Sequence, residues 1–133
     1  MVFTDAELAY LRTQRLGRLA TIAPNGTLHN NPVGFRVDAD AGVIDIGGRM
    51  MGASQKFRNV AANGKVAFVV DDVPSTDPWT TRCFEVRGHA EALTGRRPRD
   101  GYLRGEIIRI HPTRIISWGL GPDGREGSRR TVG

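Results

Sequence analysis

The sequence predicts a mainly β protein, a small antiparallel β-barrel of roughly six or seven strands with one or two short helices. Three observations predict it. Apolar runs of strand length recur along the chain, several of them alternating with polar residues. Turn-forming residues punctuate those runs, and Asn25-Gly26 is a strong signal for a tight hairpin. A length of 133 residues suits one domain, and no repeat or shift in composition divides it.

The elements follow in order. Thr4 and Glu7 form a capping box, hydroxyl and carboxylate each satisfying a free backbone N–H at a helix start. That helix runs from about Asp5 to Gln14, buries Leu8 and Leu11, and stops near Gly17. RLATIA and HNNPVGFRVD flank the Asn25-Gly26 turn, and DADAG makes a second turn into VIDIGG. A second helix begins at Ser54 and ends near Asn63-Gly64. KVAFVVDD, a continuous apolar run, reads as a central buried strand. VPSTDPW holds Pro74 and Pro78 close together, which excludes it from regular structure. In CFEVRGHAEAL, Phe84, Val86 and Gly88 share one face while Glu85, Arg87 and His89 share the other. TGRRPRDG is a polar loop, and EIIRI and RIISWGL are two last strands around HPT. Residues 1–121 make the barrel; residues 122–133 lack periodicity and are expected to be a flexible tail.

Composition narrows the function classes. No apolar run approaches the roughly 20 residues that span a bilayer, and the N-terminus lacks a signal-peptide pattern. One cysteine, Cys83, cannot staple the fold, so a cytoplasmic location is expected. The net charge of +5 favours anionic partners. Only Lys56 and Lys65 are lysines, however, and an arginine-rich surface with many Ala and Gly fits a GC-rich coding sequence. A nucleic-acid-binding barrel would interleave aromatics with arginine on one exposed face, and only 7% of residues are aromatic. Nucleic acid and membrane are therefore not expected as partners.

Most chemical motifs fail on context. GLGPDG, Gly119 to Gly124, matches a dinucleotide-binding glycine pattern, but Pro122 lies inside it and no helix follows. His29, His89 and His111 lie far apart in the sequence without partnering cysteines, so no metal site is expected. Cys83 reads as a packed thiol, and no nucleophile elbow is present. An enzyme of this composition must borrow its hard chemistry from a cofactor.

One stretch offers a place for it. IDIGGRMMGASQKFRNV, Ile44 to Val60, leads from a strand through Gly47, Gly48 and Gly52 into the second helix. Ser54 caps that helix, whose first turn presents unpaired N–H groups to an anion. Lys56 stands on the same turn, with Arg49 before it and Arg58 after it. Glycine, hydroxyl and cation together point to a bound phosphate. The apolar runs KVAFVVDD and RIISWGL offer more sheet surface than one short helix covers, so a homodimer is expected.

The order GRLATIAPNGTLHNNPVGFRVD, IDIGGRMMGASQKFRNV, KVAFVVDD, FEVRGHAEAL and IIRIHPTRIISWGL resembles the pyridoxamine 5′-phosphate oxidase-like split β-barrels, the FMN-binding type. Within them the chain is most similar to the branch that uses the deazaflavin coenzyme F420. The nearest resemblance is to an actinobacterial sub-branch containing a reductase of oxytetracycline biosynthesis. It covers the chain to about Leu120, and its most specific parts are Ser54-Gln55-Lys56 and Ser117-Trp118-Gly119-Leu120.

The resemblance implies a homodimer with a cofactor in each of two grooves between subunits. It puts the phosphate anchor on Lys56, helped by Ser54, Gln55, Arg49 and Arg58. It puts the strand under the tricyclic ring at Asn31, Pro32 and Val33, and brings Trp79 and Trp118 to the groove, from the other subunit. The chain lacks the C-terminal extension and substrate-gripping arginine of the flavin-type oxidases, which argues against pyridoxamine phosphate as substrate. The implied activity is hydride transfer from reduced F420 to an activated double bond of a small organic molecule. The alternatives are the same barrel holding FMN, and an F420 carrier without turnover. No catalytic side chain or proton donor is identified.

Overall fold

A computed structural model describes residues 1–96, 105–122 and 126–133. The capping box forms as its residues dictate: Glu7 N–H donates to Thr4 Oγ1 at 3.1 Å and Thr4 N–H to Glu7 Oε1 at 3.0 Å. It opens α1 (Asp5–Arg12), which buries Leu8, Tyr10 and Leu11. The chain then alternates burial along β1 (Leu16–Ile22), turns, and returns as β2 (Leu28–Gly34), with Ile22 opposite Leu28. Gly26 sits in the turn at φ +86°, a conformation that side chains disfavour. Next come β3 (Arg36–Asp38) and β4 (Val43–Ile46), joined by a turn in which Asp38 accepts from the Ala41 and Gly42 N–H groups.

A single turn of 3₁₀ helix (Met51–Ala53) leads into α2 (Gln55–Ala62), with Ser54 as N-cap. β5 (Lys65–Thr76), β6 (Trp79–Arg96), β7 (Gly105–Trp118) and β8 (Gly127–Thr131) complete the chain. All pairings are antiparallel, in the order β2-β1-β5-β6-β7-β4-β3, with β8 added to β7. The chain is a split barrel, mainly β with two short α-helices. Its core gathers Leu19, Ile44, Ile46, Phe68, Val70, Phe84, Val86, Ile108, Ile110 and Ile115, all at most 1% exposed. Each such side chain contributes about 1.5–3 kcal/mol by leaving water.

Several expectations are corrected. The strands among the described residues number eight. VPSTDPW is not irregular: it closes the β5–β6 hairpin around a cis Asp77–Pro78 bond, and Pro74 lies where the register shifts between Asp72 and Ser75. A bulge is a place where a strand tolerates a residue with no N–H to give. EIIRI and RIISWGL are one continuous strand, because a second register shift, opposite Arg87 and Gly88, carries Pro112 and Thr113. Gly88 is needed there, since a β-carbon would strike the His111 carbonyl. KVAFVVDD lies centrally but is buried on one face only; Val66, Phe68 and Val70 point inward, while Ala67 and Val69 are half-buried. The expected tail contains β8, which pairs with β7 from Arg114 to Trp118. In the TGRRPRDG loop, residues 94–96 belong to β6 and residues 97–101 lie outside the described residues.

Candidate functional site

Glycine, a 3₁₀ turn and a cap build the mouth of α2. Ser54 Oγ donates to the Met51 carbonyl at 2.6 Å and accepts the Phe57 N–H at 3.3 Å, so the hydroxyl pins the turn to the helix. Gln55 and Lys56 follow on the first helical turn. Lys56 is half-buried, Arg49 is exposed, and neither makes a hydrogen bond or ion pair with a described residue. Arg58 folds back on the helix start, donating to the Ala53 carbonyl at 2.8 Å and to Gln55 Oε1 at 2.9 Å. Both acceptors are neutral, so its charge is not cancelled. A depression of about 660 Å³ adjoins the turn, lined by residues 47–53 and Glu106 of β7.

Asn59 joins this turn to the sheet. Its side chain is fully buried, accepts from Gln55 Nε2 at 2.7 Å, donates to Thr21 Oγ1 at 3.0 Å and lies 3.3 Å from His29 Nδ1. Thr21 and His29 are cross-strand partners on β1 and β2. Two residues on from His29 come Asn31, Pro32 and Val33, on a strand whose only partner among the described residues is β1. Its outer edge leaves backbone groups open to a ligand, and Pro32 is tolerated there because an edge strand need not donate every N–H. The Asn59 link escaped sequence reading; its one signal was the Gln55-to-Asn59 spacing, which sets two amides on one helix face.

Five predicted residues, Arg49, Ser54, Gln55, Lys56 and Arg58, thus gather at one turn, with Asn31, Pro32 and Val33 beyond Asn59. Trp79 and Trp118 do not join them. Trp79 stands at the tip of the β5–β6 hairpin, 67% exposed, and Trp118 ends β7, 48% exposed. Glu106, packed against Gly52 at the turn, begins that same 14-residue strand. Tryptophans and cations therefore occupy opposite ends of the fold.

The histidines are closer than their sequence separation suggested. His89 and His111 are cross-strand neighbours with ring centroids 6.4 Å apart, and His111 Nε2 lies 2.6 Å from Glu91. That contact holds the Glu91 carboxyl below its usual range. Among the described residues no three His, Cys, Asp or Glu side chains could hold a metal. Burial pushes the half-buried Cys83 thiol up, with Glu85 adding to it, which suits a packed thiol rather than a nucleophile.

The family profile described as pyridoxamine 5′-phosphate oxidase matches residues 3–126. The chain belongs to the pyridoxamine 5′-phosphate oxidase family. A curated relative from Streptomyces rimosus, a 5a,11a-dehydrotetracycline/5a,11a-dehydrooxytetracycline reductase, is 53% identical over 124 residues, covering 92% of this chain and 87% of its own. Among solved structures, the conserved hypothetical protein Rv2991 from Mycobacterium tuberculosis superposes with a TM-score of 0.68 at 25% identity, over 98% of this chain and 92% of the other. A protein described as an F420 reductase superposes with a TM-score of 0.57 at 27% identity, over 76% and 88%. This member of the family is an oxidoreductase acting on a small molecule. Among the described residues no helix is long and apolar enough to cross a membrane.

Proposed function

We infer that the protein is an F420-dependent reductase that saturates an activated C=C bond in a polycyclic, tetracycline-like substrate. The observation that carries this reading is Lys56, a half-buried cation without a partner among the described residues, beside the Ser54 cap, in a chain akin to a named tetracycline reductase and a named F420 reductase. Lys56, the α2 N–H groups and Arg49 would hold the cofactor phosphate, and the open edge of β2 at residues 31–33 would lie along its ring. A reduced deazaflavin held there would supply a hydride to the electron-poor carbon, and the matching proton would come from solvent. The protein's share is binding, orientation and exclusion of water.

The two tryptophans complete the reading only in a homodimer. Trp79 and Trp118 stand too far from Lys56 to close one groove within a protomer, so a second copy would bring them. The outer sheet face supports such a pairing. It carries Ile22, Leu28, Ala67, Val69, Ile116 and Trp118, with Leu28 76% exposed, and a shallow groove of about 410 Å³. A free, half-buried Cys83 suits a reducing cytoplasm. Fluorescence titration with F420 and FMN side by side tests the assignment, and anaerobic turnover of a dehydrotetracycline with reduced F420 tests the activity. Tighter binding of FMN, or F420 binding without turnover, would replace it with a flavin enzyme or a carrier.

A further inference from the structure

The amide chain behind the anion turn has a fixed polarity. At one end stands Arg58, which can only donate, so Gln55 must present Oε1 to it and Nε2 to Asn59. Asn59 must then present Oδ1 to Gln55 and its NH₂ group to Thr21 and His29. His29 Nδ1 is therefore the acceptor, and the neutral ring carries its proton on Nε2. A second proton on His29 turns Nδ1 into a donor facing a donor. With Asn59 fully buried, that mismatch is costly.

We propose that His29 and Asn59 are positioning residues through which a proton controls whether Arg58 reaches the anion held at the α2 turn. When His29 is protonated, Asn59 turns its oxygen toward Nδ1 and its NH₂ toward Gln55. Gln55 turns in answer and presents Nε2 to Arg58, whose guanidinium loses that acceptor and keeps only the Ala53 carbonyl. The released guanidinium then turns to the ligand beside Lys56. No carboxylate on α2, β1 or β2 competes for the imidazolium; the charged groups on these elements are Lys56, Arg58 and Arg18, and Arg18 pairs with Asp71 on the other face of β1. Because protonation releases Arg58 to the anion, a bound anion favours protonation in turn, so binding takes up a proton.

The proposal rests on the anion reading of the turn, and its test separates the two. In the ligand-free protein, ¹⁵N spectra across about pH 8 to 5, where imidazoles change charge, follow the His29 ring and the Asn59 and Gln55 side-chain amides. The amides are expected to shift with the same midpoint as His29, and to stay still in His29→Gln, which keeps an acceptor but does not titrate. F420 affinity, measured by fluorescence, should rise about tenfold through that midpoint, the worth of one charged hydrogen bond. Gln55→Leu takes the side-chain acceptor from Arg58 at every pH and should show the higher affinity throughout. A His29 titration that leaves both amides unmoved overturns the relay. Moving amides with flat F420 affinity overturns the placement of the anion at this turn and leaves the relay standing.

Discussion

The two helix ends of the barrel handle charge in opposite ways. At α1, Glu7 is 1% exposed and accepts two hydrogen bonds from Arg130 of β8, at 2.6 and 2.7 Å, while Arg130 also reaches the Val2 carbonyl. Nearby, Asp72 accepts from Tyr10 at 2.9 Å and from both Nε and Nη2 of Arg82, whose guanidinium lies over the Tyr10 ring. Each cation in that network faces a carboxylate. At α2, Arg49 and Lys56 make no ion pair with a described acid, although Glu106 lines the same depression, and Arg58 bonds only neutral oxygens. Charge that closes on itself supports the fold, whereas charge left open is available to a ligand.

The largest effect should come from opening the closed end. Glu7→Gln leaves Arg130 half-buried without its counter-charge and should cost about 3–5 kcal/mol, read from urea unfolding. A cost below about 1 kcal/mol would mean that the α1 end is as loosely held as the α2 turn. At the open end the outcome should reverse. Lys56→Ala should weaken F420 binding by about 1.5–3 kcal/mol, the scale of a charged hydrogen bond, and move unfolding by no more than about 0.5 kcal/mol. Lys65→Ala, at the start of β5, is the control and should change neither. Equal F420 affinity in the Lys56 variant and the parent would remove the contrast from the other side.

A smaller effect concerns pH. The Arg82 hydrogen bond, with Tyr10 helping, holds the Asp72 carboxyl below its ordinary value of 3.8. Its contribution to stability is therefore complete above about pH 4 and lost as pH falls through the lowered value. Tyr10 goes the other way: burial first, then the hydrogen bond to Asp72, raises its phenol above the ordinary 10.0. That contribution is complete below about pH 10 and is lost as the pH rises. Tyr10→Phe should cost about 1 kcal/mol at neutral pH and remove the alkaline loss while the acid loss remains. Unfolding midpoints from pH 3 upward check this, and an alkaline loss that persists in Tyr10→Phe would assign it to another group.

Local signals made most of the fold legible. A capping box, an Asn-Gly turn, a Ser N-cap and alternating burial each act over a few residues, and each formed where the residues placed it. What failed was continuity across prolines. Pro74 and Pro112 interrupt strand patterns in the sequence, but register shifts absorb both, so single strands were read as pieces. β8 failed for another reason: Ser128, Arg129 and Arg130 carry no apolar pattern, and the strand is held by β7 and by Glu7, 123 residues away. At the site, the cations and the cap were legible because they are adjacent in sequence. The Asn59–Thr21–His29 link was not, because its partners come together only after β1, β2 and α2 have packed.

The smallest expected effect separates the two candidate cofactors. FMN ends in a phosphate, whereas F420 continues through a phosphodiester to a string of glutamates. A site specialised for F420 must offer positive charge beyond Lys56, and near the C-terminus Arg129 and Arg130 are two candidates, Arg125 lying outside the described residues. The closed end now divides them: Arg130 is held by Glu7, while Arg129 is exposed on β8 and meets no described partner. Deleting everything after Gly121 would remove β8 and the Glu7 lock together, so a lost salt dependence could not be told from a damaged fold. Arg129→Ala avoids this. Solvent-exposed contacts are worth about 1 kcal/mol or less and are screened within about 10 Å at 0.1 M salt. F420 affinity should therefore fall with added salt, more steeply for longer glutamate tails, and FMN should respond less. If Arg129→Ala flattens the F420 slope, charge at the closed end also serves the ligand. An unchanged slope leaves the tail to Arg49 and Arg58, and FMN binding tighter at every salt concentration would remove F420 from the open end altogether.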